Sequence, residues 1–179
     1  MRELERRGTA VKIGVISDTH GNLKLMFRAV GVLTNELDVE LFYHVGDNYD
    51  DAEALAHAGH AVRMVPGLWC PEYHNTRVPN RIAESIDGIT VVAVHAEKDL
   101  RGADWGASII LTGHTHVARV DKLGRTLHVN PGHLKSMFDR GERPSFATIE
   151  TSDKEVRVKV HELSGDVRID VRVPREELA

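Results

Sequence analysis

The first third of the chain alternates three short apolar runs with two segments of helical periodicity. The runs 11–16, 41–45 and 60–65 are rich in β-branched residues, as strands buried on both faces are. Between them, apolar residues recur every three or four positions over 23–37, and a shorter helix is predicted over 51–58. A strand–helix–strand–helix–strand order is typical of a parallel sheet with helices packed against it. The sequence therefore predicts an α/β fold.

The rest of the chain carries signals for antiparallel strands instead of further helices. Asp87-Gly88 separates two alternating runs and is a strong signal for a two-residue hairpin turn. We expect two mixed β-sheets packed as a sandwich and flanked by helices, in a single domain over 10–179, preceded by a charged tail over 1–9. The further predicted strands are 81–86, 89–95, 108–111, 117–120, 126–129, 146–150, 156–161 and 167–173.

Composition excludes several classes of protein. A length of 179 residues fits one domain, and 27 acidic against 23 basic side chains give a net charge of −4, so no basic face for a nucleic-acid duplex is expected. One cysteine cannot form an internal disulfide, and no apolar run approaches the ~18 residues needed to cross a bilayer. The first residues lack the apolar segment of a signal peptide. We therefore expect a cytoplasmic protein that does not contact a membrane.

Acidic and histidine side chains follow four of the predicted strands at the point where each strand ends. Because ligands of open α/β sheets bind outside the carboxyl ends of the strands, these side chains are expected to converge on one crevice. In extended backbone, residues i and i+2 point to the same side, so Asp18 and His20 are expected to face one point, and the same spacing relates His114 to His116. One such histidine alone is more often a hydrogen-bonded core residue, but four strand ends together favour a site for Mn, Fe, Zn or Ni. The six residues are Asp18, His20, Asp47, His95, His114 and His116.

These motifs, in this order, resemble those of the calcineurin-like metallophosphoesterases. Within that family, the compact chain and its Asn-Pro-Gly segment resemble the small YfcE-type phosphodiesterases of bacteria and archaea. The resemblance implies a two-sheet α/β sandwich and a two-metal centre that hydrolyses phosphate esters with a metal-activated water. It rests on VISDTHGN at 15–22, VGD at 45–47, VH at 94–95, LTGHTH at 111–116 and NPG at 130–132.

The resemblance also implies a role for each motif residue. It assigns Asp18, His20 and His116 to a first divalent ion, His95 and His114 to a second, and Asp47 to both. Asp47, His95 and His114 are expected to take part in catalysis as well, and we expect Mn as the ion, with Fe, Ni or Zn as alternatives. Asn22 is a candidate contact for the substrate phosphate, although asparagine after glycine is also ordinary turn chemistry.

The sequence departs from the family pattern after the third predicted strand. Leu68 stands where the family has an asparagine that binds the second ion, and Trp69 stands where larger members have a histidine thought to protonate the leaving group. Cys70 and Glu72 are candidate substitute ligands, water is another, and a small buried side chain is the alternative interpretation of Cys70. His133, which follows the Asn-Pro-Gly segment, is a candidate contact for the phosphate or the leaving group. We therefore expect a weaker second ion and a preference for esters with good leaving groups.

Two functions from different classes fit these observations. The first is a metal-dependent phosphodiesterase acting on a small phosphodiester or phosphomonoester, in a chain whose size is compatible with a homodimer. The second is a protein-interaction scaffold of the same fold, similar to the retromer subunit, with a degraded second metal site. Six of the seven expected ligands are present, which favours the enzyme. Among the other histidines, His44 is expected in the core, and His74, His128 and His161 at surface or edge positions.

Overall fold

The structure is a computed structural model that describes residues 11–179, so the charged tail predicted over 1–9 lies outside the described residues. Within the described part, the chain forms two β-sheets packed face to face and two α-helices. In chain order the elements are β1 (Val11–Ile16), α1 (Leu23–Asn35), β2 (Leu41–His44), α2 (Tyr49–His57), β3 (Ala61–Met64), β4 (Arg81–Ile86), β5 (Ile89–Val94), β6 (Ile109–Leu111), β7 (Arg119–Leu123), β8 (Thr126–Asn130), β9 (Ser145–Thr151), β10 (Glu155–Glu162) and β11 (Val167–Pro174).

Strand β1 lies in the middle of a six-stranded mixed sheet. It pairs in parallel with β2, where Ile13 lies opposite Leu41, and antiparallel with β9 on its other side. β3 extends the parallel half and β10 and β11 extend the antiparallel half, which gives the order β11-β10-β9-β1-β2-β3. The parallel half is the strand–helix–strand segment predicted from the sequence, because parallel neighbours need a crossover and each crossover here carries one helix.

The second sheet has five strands in the order β4-β5-β6-β8-β7, parallel at its centre and bounded by a hairpin at each edge. Asp87 and Gly88 form the predicted two-residue turn between β4 and β5, with φ angles of +50° and +71°. Primed turns of this kind match the twist of the flanking strands, and an Asp-Gly pair tolerates their left-handed backbone. The prediction of a two-sheet α/β sandwich in a single domain is confirmed.

The main hydrophobic core lies between the two sheets. It consists of fully buried aliphatic side chains such as Ile13 and Val15 of one sheet and Val91 and Ile109 of the other. A second layer lies on the far side of the six-stranded sheet, where α1 buries Met26 completely. Each such side chain contributes about 1.5–3 kcal/mol on burial, so the packing holds the ends of the two sheets in a fixed relation. Neither helix between residues 11 and 179 has the length and apolar character to span a bilayer.

Several element boundaries differ from the predicted ones. α1 ends at Asn35 instead of 37, because the chain turns at Asp38, whose φ angle is +56°. α2 begins at Tyr49, two residues before the predicted start. β7 covers Arg119–Leu123 instead of 117–120, since the preceding residues still belong to the loop that carries predicted ligands. The apolar pattern therefore located these elements but not their ends.

Two histidines that were expected at surface or edge positions are buried instead. His128 lies on the inner strand β8, with its ring centroid 5.5 Å from that of Trp105. His161 stacks on Phe146 at 5.4 Å, and its Nε2 lies 2.9 Å from the hydroxyl of Thr148. Burial lowers the pKa of both imidazoles, which favours the neutral form. The expectation was wrong because the pattern of a strand does not report the side chains of other elements that pack over it, here Trp105 and Phe146.

Candidate metal centre

The six predicted ligands lie in the loops that follow strands β1, β2, β5 and β6. β1 and β2 are parallel neighbours in one sheet, and β5 and β6 are parallel neighbours in the other. The loops of the two sheets meet at one end of the sandwich, where the backbone N–H of His114 donates to the carboxylate of Asp18 over 3.0 Å. This end of the molecule is the crevice expected from the strand-end rule.

Four of the side chains form a tight group, which we call the first cluster. His20 Nε2 lies 2.6 Å from Asp47 Oδ2, and His116 Nε2 lies 3.2 Å from Asp18 Oδ1. The two Nε2 atoms are themselves only 3.1 Å apart. Two carboxylates and two imidazole nitrogens at these separations form a donor set suited to a divalent transition ion. The members, whose ligand atoms all lie within 4.8 Å of one another, are Asp18, His20, Asp47 and His116.

His95 contacts Asp47, and the ring of His114 lies beside that of His95, but neither histidine belongs to the compact group of four. We call Asp47, His95 and His114 the second cluster. Asp47 Oδ1 lies 3.2 Å from His95 Nε2, and the ring centroids of His95 and His114 are 5.2 Å apart. Nδ1 of His95 donates to the carbonyl of Val45 over 2.7 Å, so its Nε2 keeps a lone pair directed at the cluster. That Nε2 atom is buried without a hydrogen-bond partner among the described residues. A buried, unpaired imidazole nitrogen beside a carboxylate fits a bound cation, which would satisfy both groups.

The ligand loops do not have the extended backbone from which the convergence was predicted. Asp18, His20, His114 and His116 all have left-handed φ angles, of 53°, 48°, 65° and 64°. The side chains of Asp18, His20 and His116 therefore converge from left-handed loop backbone, and the prediction that extended i, i+2 geometry brings them together was wrong. Asp and His tolerate this region better than most residues, and such conformations cluster at functional sites.

Two glycines allow the backbone to approach the ligands closely. A Cβ atom added at Gly46, whose φ angle is +93°, would lie 2.2 Å from Nδ1 of His95. A Cβ atom added at Gly113 would lie 2.0 Å from the hydroxyl of Ser17 and 2.7 Å from Asp18 Oδ2. Any larger residue at either position would displace a predicted ligand or its hydrogen-bond partner.

The electrostatic environment keeps the shared carboxylate ionised. Burial raises the pKa of Asp47, but the neighbouring His95 and His20 lower it to about 2. Burial lowers the pKa of His95 and the carboxylates of Asp47 and Asp18 raise it, with a net upward shift. The pKa of His114 is lowered by burial and by the charge of His95, which favours the neutral, ligating form. The site therefore combines anionic oxygens with imidazoles, as a cation site requires.

Comparisons with known proteins bear on this arrangement. The calcineurin-like phosphoesterase superfamily domain matches residues 11–154. The chain belongs to this superfamily. A probable metallophosphoesterase of Methanothermobacter thermautotrophicus is 31% identical over 134 residues, which cover 67% of this chain and 75% of the relative. Membership in this superfamily supports the interpretation of the chain as a metal-binding hydrolase of phosphate esters.

Two solved structures have the same fold as this superfamily member, each at 19% sequence identity. YfcE, a phosphoesterase from E. coli, superposes with a TM-score of 0.71 over 90% of this chain and 98% of its own. Wild-type Vps29 from Entamoeba histolytica, solved in complex with Zn²⁺, superposes with a TM-score of 0.63 over 92% of this chain and 99% of its own. The fold is thus shared by a phosphoesterase and by a zinc-bound Vps29.

A carboxylate that the sequence motifs did not indicate supports the first cluster. Asp139 Oδ2 accepts a hydrogen bond of 2.5 Å from Nδ1 of His116, and Asp139 Oδ1 accepts one of 3.0 Å from Lys135 Nζ. The hydrogen bond from His116, followed by that from Lys135, lowers the pKa of Asp139 to about 2. A carboxylate behind a metal-binding histidine fixes the ring orientation and makes the ligating nitrogen more basic. No spacing rule links Asp139 to His116, so only the folded chain shows the pair.

Replacing Asp139 by asparagine is expected to lower the affinity of the first cluster for divalent ions by about 10- to 100-fold, the usual effect of losing an outer-shell carboxylate. Isothermal titration of the chelator-treated protein with Mn²⁺ measures this change. Asp153→Asn, in the exposed turn between β9 and β10, removes an equal charge away from the site and serves as the matched control. Equal Mn²⁺ affinities for the two variants would contradict a supporting role for Asp139.

Two further candidates from the sequence have structural roles in the folded chain. The Asn22 side chain caps α1, because its Oδ1 accepts from the backbone N–H of Leu25 over 3.1 Å and its Nδ2 donates to the carbonyl of Lys135 over 2.9 Å. His133 is completely buried, and its ring centroid lies 5.6 Å from that of His116. Its Nε2 lies 3.2 Å from the carbonyl of Glu142. His133 thus lies behind the first cluster, and both polar atoms of the Asn22 amide already have hydrogen-bond partners in the protein.

The loop that follows β3 lies directly beside the second cluster. A Cβ atom added at Gly67 would lie 2.5 Å from Asp47 Oδ1, so the backbone passes very close to the shared carboxylate. Leu68 and His114 line the same surface cavity. The Cys70 thiol donates to the backbone carbonyl of Asp47, and burial raises the pKa of that thiol, which disfavours a thiolate ligand. Neither Cys70 nor Glu72 belongs to the first cluster.

Replacing Leu68 by asparagine is expected to tighten binding of the second ion by at least about tenfold, because a carbonyl oxygen would be added beside His114. Titration of the chelator-treated protein with Mn²⁺ resolves the weaker of two binding events. Leu68→Ala removes the same apolar side chain without adding an oxygen, and it should leave the weaker event unchanged. If Leu68→Asn behaves like Leu68→Ala, then Cys70, Glu72 or water already completes the ligand set.

Proposed function

We propose that this protein is a divalent-metal-dependent phosphodiesterase. The observation that carries the proposal is the position of Asp47, which faces His20 through one carboxylate oxygen and His95 through the other. Two donor clusters with a common carboxylate suit two neighbouring divalent ions, the arrangement used for in-line displacement at phosphorus. The superfamily match supports the same class of reaction.

On this proposal, the two clusters would divide the ligands between two ions. Bound ions would supply polarisation of the phosphoryl oxygens and a water of lowered pKa as the nucleophile. We propose Mn²⁺ as the ion, with Fe²⁺, Ni²⁺ or Zn²⁺ as alternatives suited to the same mixture of imidazole and carboxylate. The first ion would be held by Asp18, His20, Asp47 and His116, and the second by Asp47, His95 and His114.

The hydroxyl of Ser17 and the thiol of Cys70 each donate a hydrogen bond. Ser17 is completely buried, and its hydroxyl donates to Asp18 Oδ2 over 2.6 Å. The Cys70 thiol donates to a backbone carbonyl, as described above. Neither side chain is therefore placed to attack phosphorus, which supports water as the nucleophile.

Two residues at the mouth of the site bear on how the substrate is bound and released. Arg140 is exposed and donates to the carbonyl of Thr115 over 3.2 Å, so its positive charge lies beside the ligand loop and attracts an anionic phosphate. Trp69 offers no proton with a suitable pKa to the leaving group. The reaction should therefore favour esters whose leaving groups need no general acid.

A protein-interaction scaffold is the second candidate function. Leu68 removes one expected ligand of the second ion, and the chain shares its fold with Vps29. On this alternative the metal centre would bind ions without supporting hydrolysis.

Hydrolysis assays on chelator-treated protein distinguish the two functions. With added Mn²⁺, we expect turnover of bis(p-nitrophenyl) phosphate, slower turnover of p-nitrophenyl phosphate, and none of either when EDTA is in excess. Direct titration with Mn²⁺ on the same preparation measures binding separately. Binding of Mn²⁺ without turnover of either ester would overturn the phosphodiesterase proposal and favour the scaffold.

A further inference from the structure

A cavity of about 300 Å³ opens beside the first cluster, and His20 and Asp47 form part of its wall. This volume is at the lower end of the range of ligand-binding pockets, so it accommodates one ring-sized group and not an extended chain. We call it the Trp69 pocket. The residues that line its outer part include Tyr49, Asp50, Trp69, Pro71 and Glu72.

A separate cavity of about 400 Å³ opens on the side of the second cluster, where it is lined by Leu68, His114 and Arg119. Leu68 and Trp69 are consecutive residues that line different cavities, so the loop after β3 separates the two. A phosphate group bound to the ions that Asp47 would hold would therefore have one cavity on each side. A phosphodiester has two ester groups, one for each cavity, whereas a phosphomonoester has only one.

The Trp69 pocket has a specific chemical character. The indole of Trp69 is 89% exposed, which leaves a large flat apolar surface next to the metal ligands. Aromatic rings stack readily on such a surface, and an exposed tryptophan next to a catalytic centre is available to a ring of the substrate. Asp50 and Glu72 add negative charge, and none of the described residues that line the pocket is a lysine or arginine. The outer part of the pocket, away from the ions that His20 and Asp47 would hold, thus attracts flat rings and repels anionic groups.

We infer that the Trp69 pocket binds one ester group of the substrate, and that this group is a planar aromatic ring without negative charge. The substrate class is accordingly a phosphodiester with one neutral or cationic aryl or nucleobase-like group. Substrates that would place a carboxylate or a second phosphate in the pocket are rejected by Asp50 and Glu72, because like charges a few ångströms apart repel. This inference rests on the proposed phosphodiesterase function.

A pair of tryptophan variants tests the stacking contact. With bis(p-nitrophenyl) phosphate and saturating Mn²⁺, Trp69→Ala should raise KM by about tenfold, the effect expected when one stacking partner is lost, with kcat nearly unchanged. Trp105→Ala is the matched control, since Trp105 is also exposed, at 51%, but packs beside His128, away from the ligand loops. If the two variants have the same KM, the pocket does not bind the ring.

Fluorescence gives a readout that is independent of turnover. The sequence contains two tryptophans, so Trp105→Phe leaves Trp69 as the sole indole. In that variant, mixing with bis(p-nitrophenyl) phosphate should quench the fluorescence within milliseconds, before hydrolysis, because a nitroaromatic ring in contact with indole is an efficient quencher. Absence of saturable quenching, in a protein that hydrolyses this ester, would overturn the inference and leave the proposed function intact. Failure of the unmodified protein to hydrolyse the ester would instead overturn the proposed function.

The charge preference is tested with two symmetric esters of equal shape, bis(4-carbamoyl-2-nitrophenyl) phosphate and bis(4-carboxy-2-nitrophenyl) phosphate, so that the ring in the Trp69 pocket carries the same group in either orientation of the substrate. The unmodified protein should show a several-fold lower kcat/KM for the carboxylated ester, and Glu72→Gln should narrow that difference. A difference that is unchanged in Glu72→Gln would contradict the charge filter. A loss of Mn²⁺ affinity in Glu72→Gln would also overturn it, because Glu72 would then be a metal ligand.

Discussion

Asp47→Asn is expected to lower the rate of phosphodiester hydrolysis by more than about a hundredfold. Losing even an outer-shell partner of a metal ligand lowers metal affinity or activity by about 10- to 100-fold, and Asp47 is itself a member of both clusters. Its two carboxylate oxygens lie 2.6 Å from His20 Nε2 and 3.2 Å from His95 Nε2. An asparagine keeps one oxygen ligand and replaces the other by an NH₂ group that cannot ligate. Steady-state hydrolysis of bis(p-nitrophenyl) phosphate with saturating Mn²⁺ measures the effect.

The fold should survive this substitution. Asp47 lies in a loop after β2 and not in the hydrophobic core, and the substituted amide has the same shape. Circular dichroism and thermal unfolding of the metal-free protein check this point. Asp121→Asn, on the exposed β7–β8 hairpin, is the matched control and should retain full activity. An Asp47→Asn protein that keeps activity within a few-fold, at equal metal content, would show that Asp47 is not shared by two ions.

The fold could be predicted in large part because its strongest signals are local. Buried parallel strands are almost continuously apolar, and for this reason the run 11–16 could be recognised as β1 without knowledge of its partners. Asp87-Gly88 specifies a turn by its own backbone preferences. The burial of His128 and His161 could not be predicted in the same way, since it depends on side chains of other elements, Trp105 and Phe146, that pack on their rings.

The candidate site was predictable for a different reason. The strands that precede the ligands could be recognised from the sequence to within a few residues, and topology brings the ends of parallel strands together whatever the local backbone conformation is. For this reason Asp18 and His116 meet in the folded chain, although the assumed extended geometry was wrong. Asp139 was missed because it follows no strand and reaches His116 from an irregular loop. The two cavities were missed because cavity shape depends on how the loop after β3 packs.

His116→Ala and His95→Ala are expected to impair different ions. His116 Nε2 lies in the first cluster, 3.2 Å from Asp18 Oδ1, and 3.9 Å from the shared Asp47. His95 Nε2 lies 3.2 Å from the other oxygen of Asp47 and belongs to the second cluster. Each substitution removes one nitrogen ligand from one ion, so His116→Ala should weaken the first ion by more than about a hundredfold and His95→Ala the second, with a smaller effect on the other ion in each case.

Anomalous scattering at the manganese edge, from crystals of each variant grown with limiting Mn²⁺, measures the two occupancies separately. Both histidines are buried, so each alanine also leaves a cavity and lowers stability. His128→Ala, which removes a buried histidine outside both clusters, controls for that loss and should leave both occupancies unchanged. Equal losses at both positions in His116→Ala and His95→Ala would mean that the ions bind as one cooperative unit, and the division of ligands proposed here would be wrong.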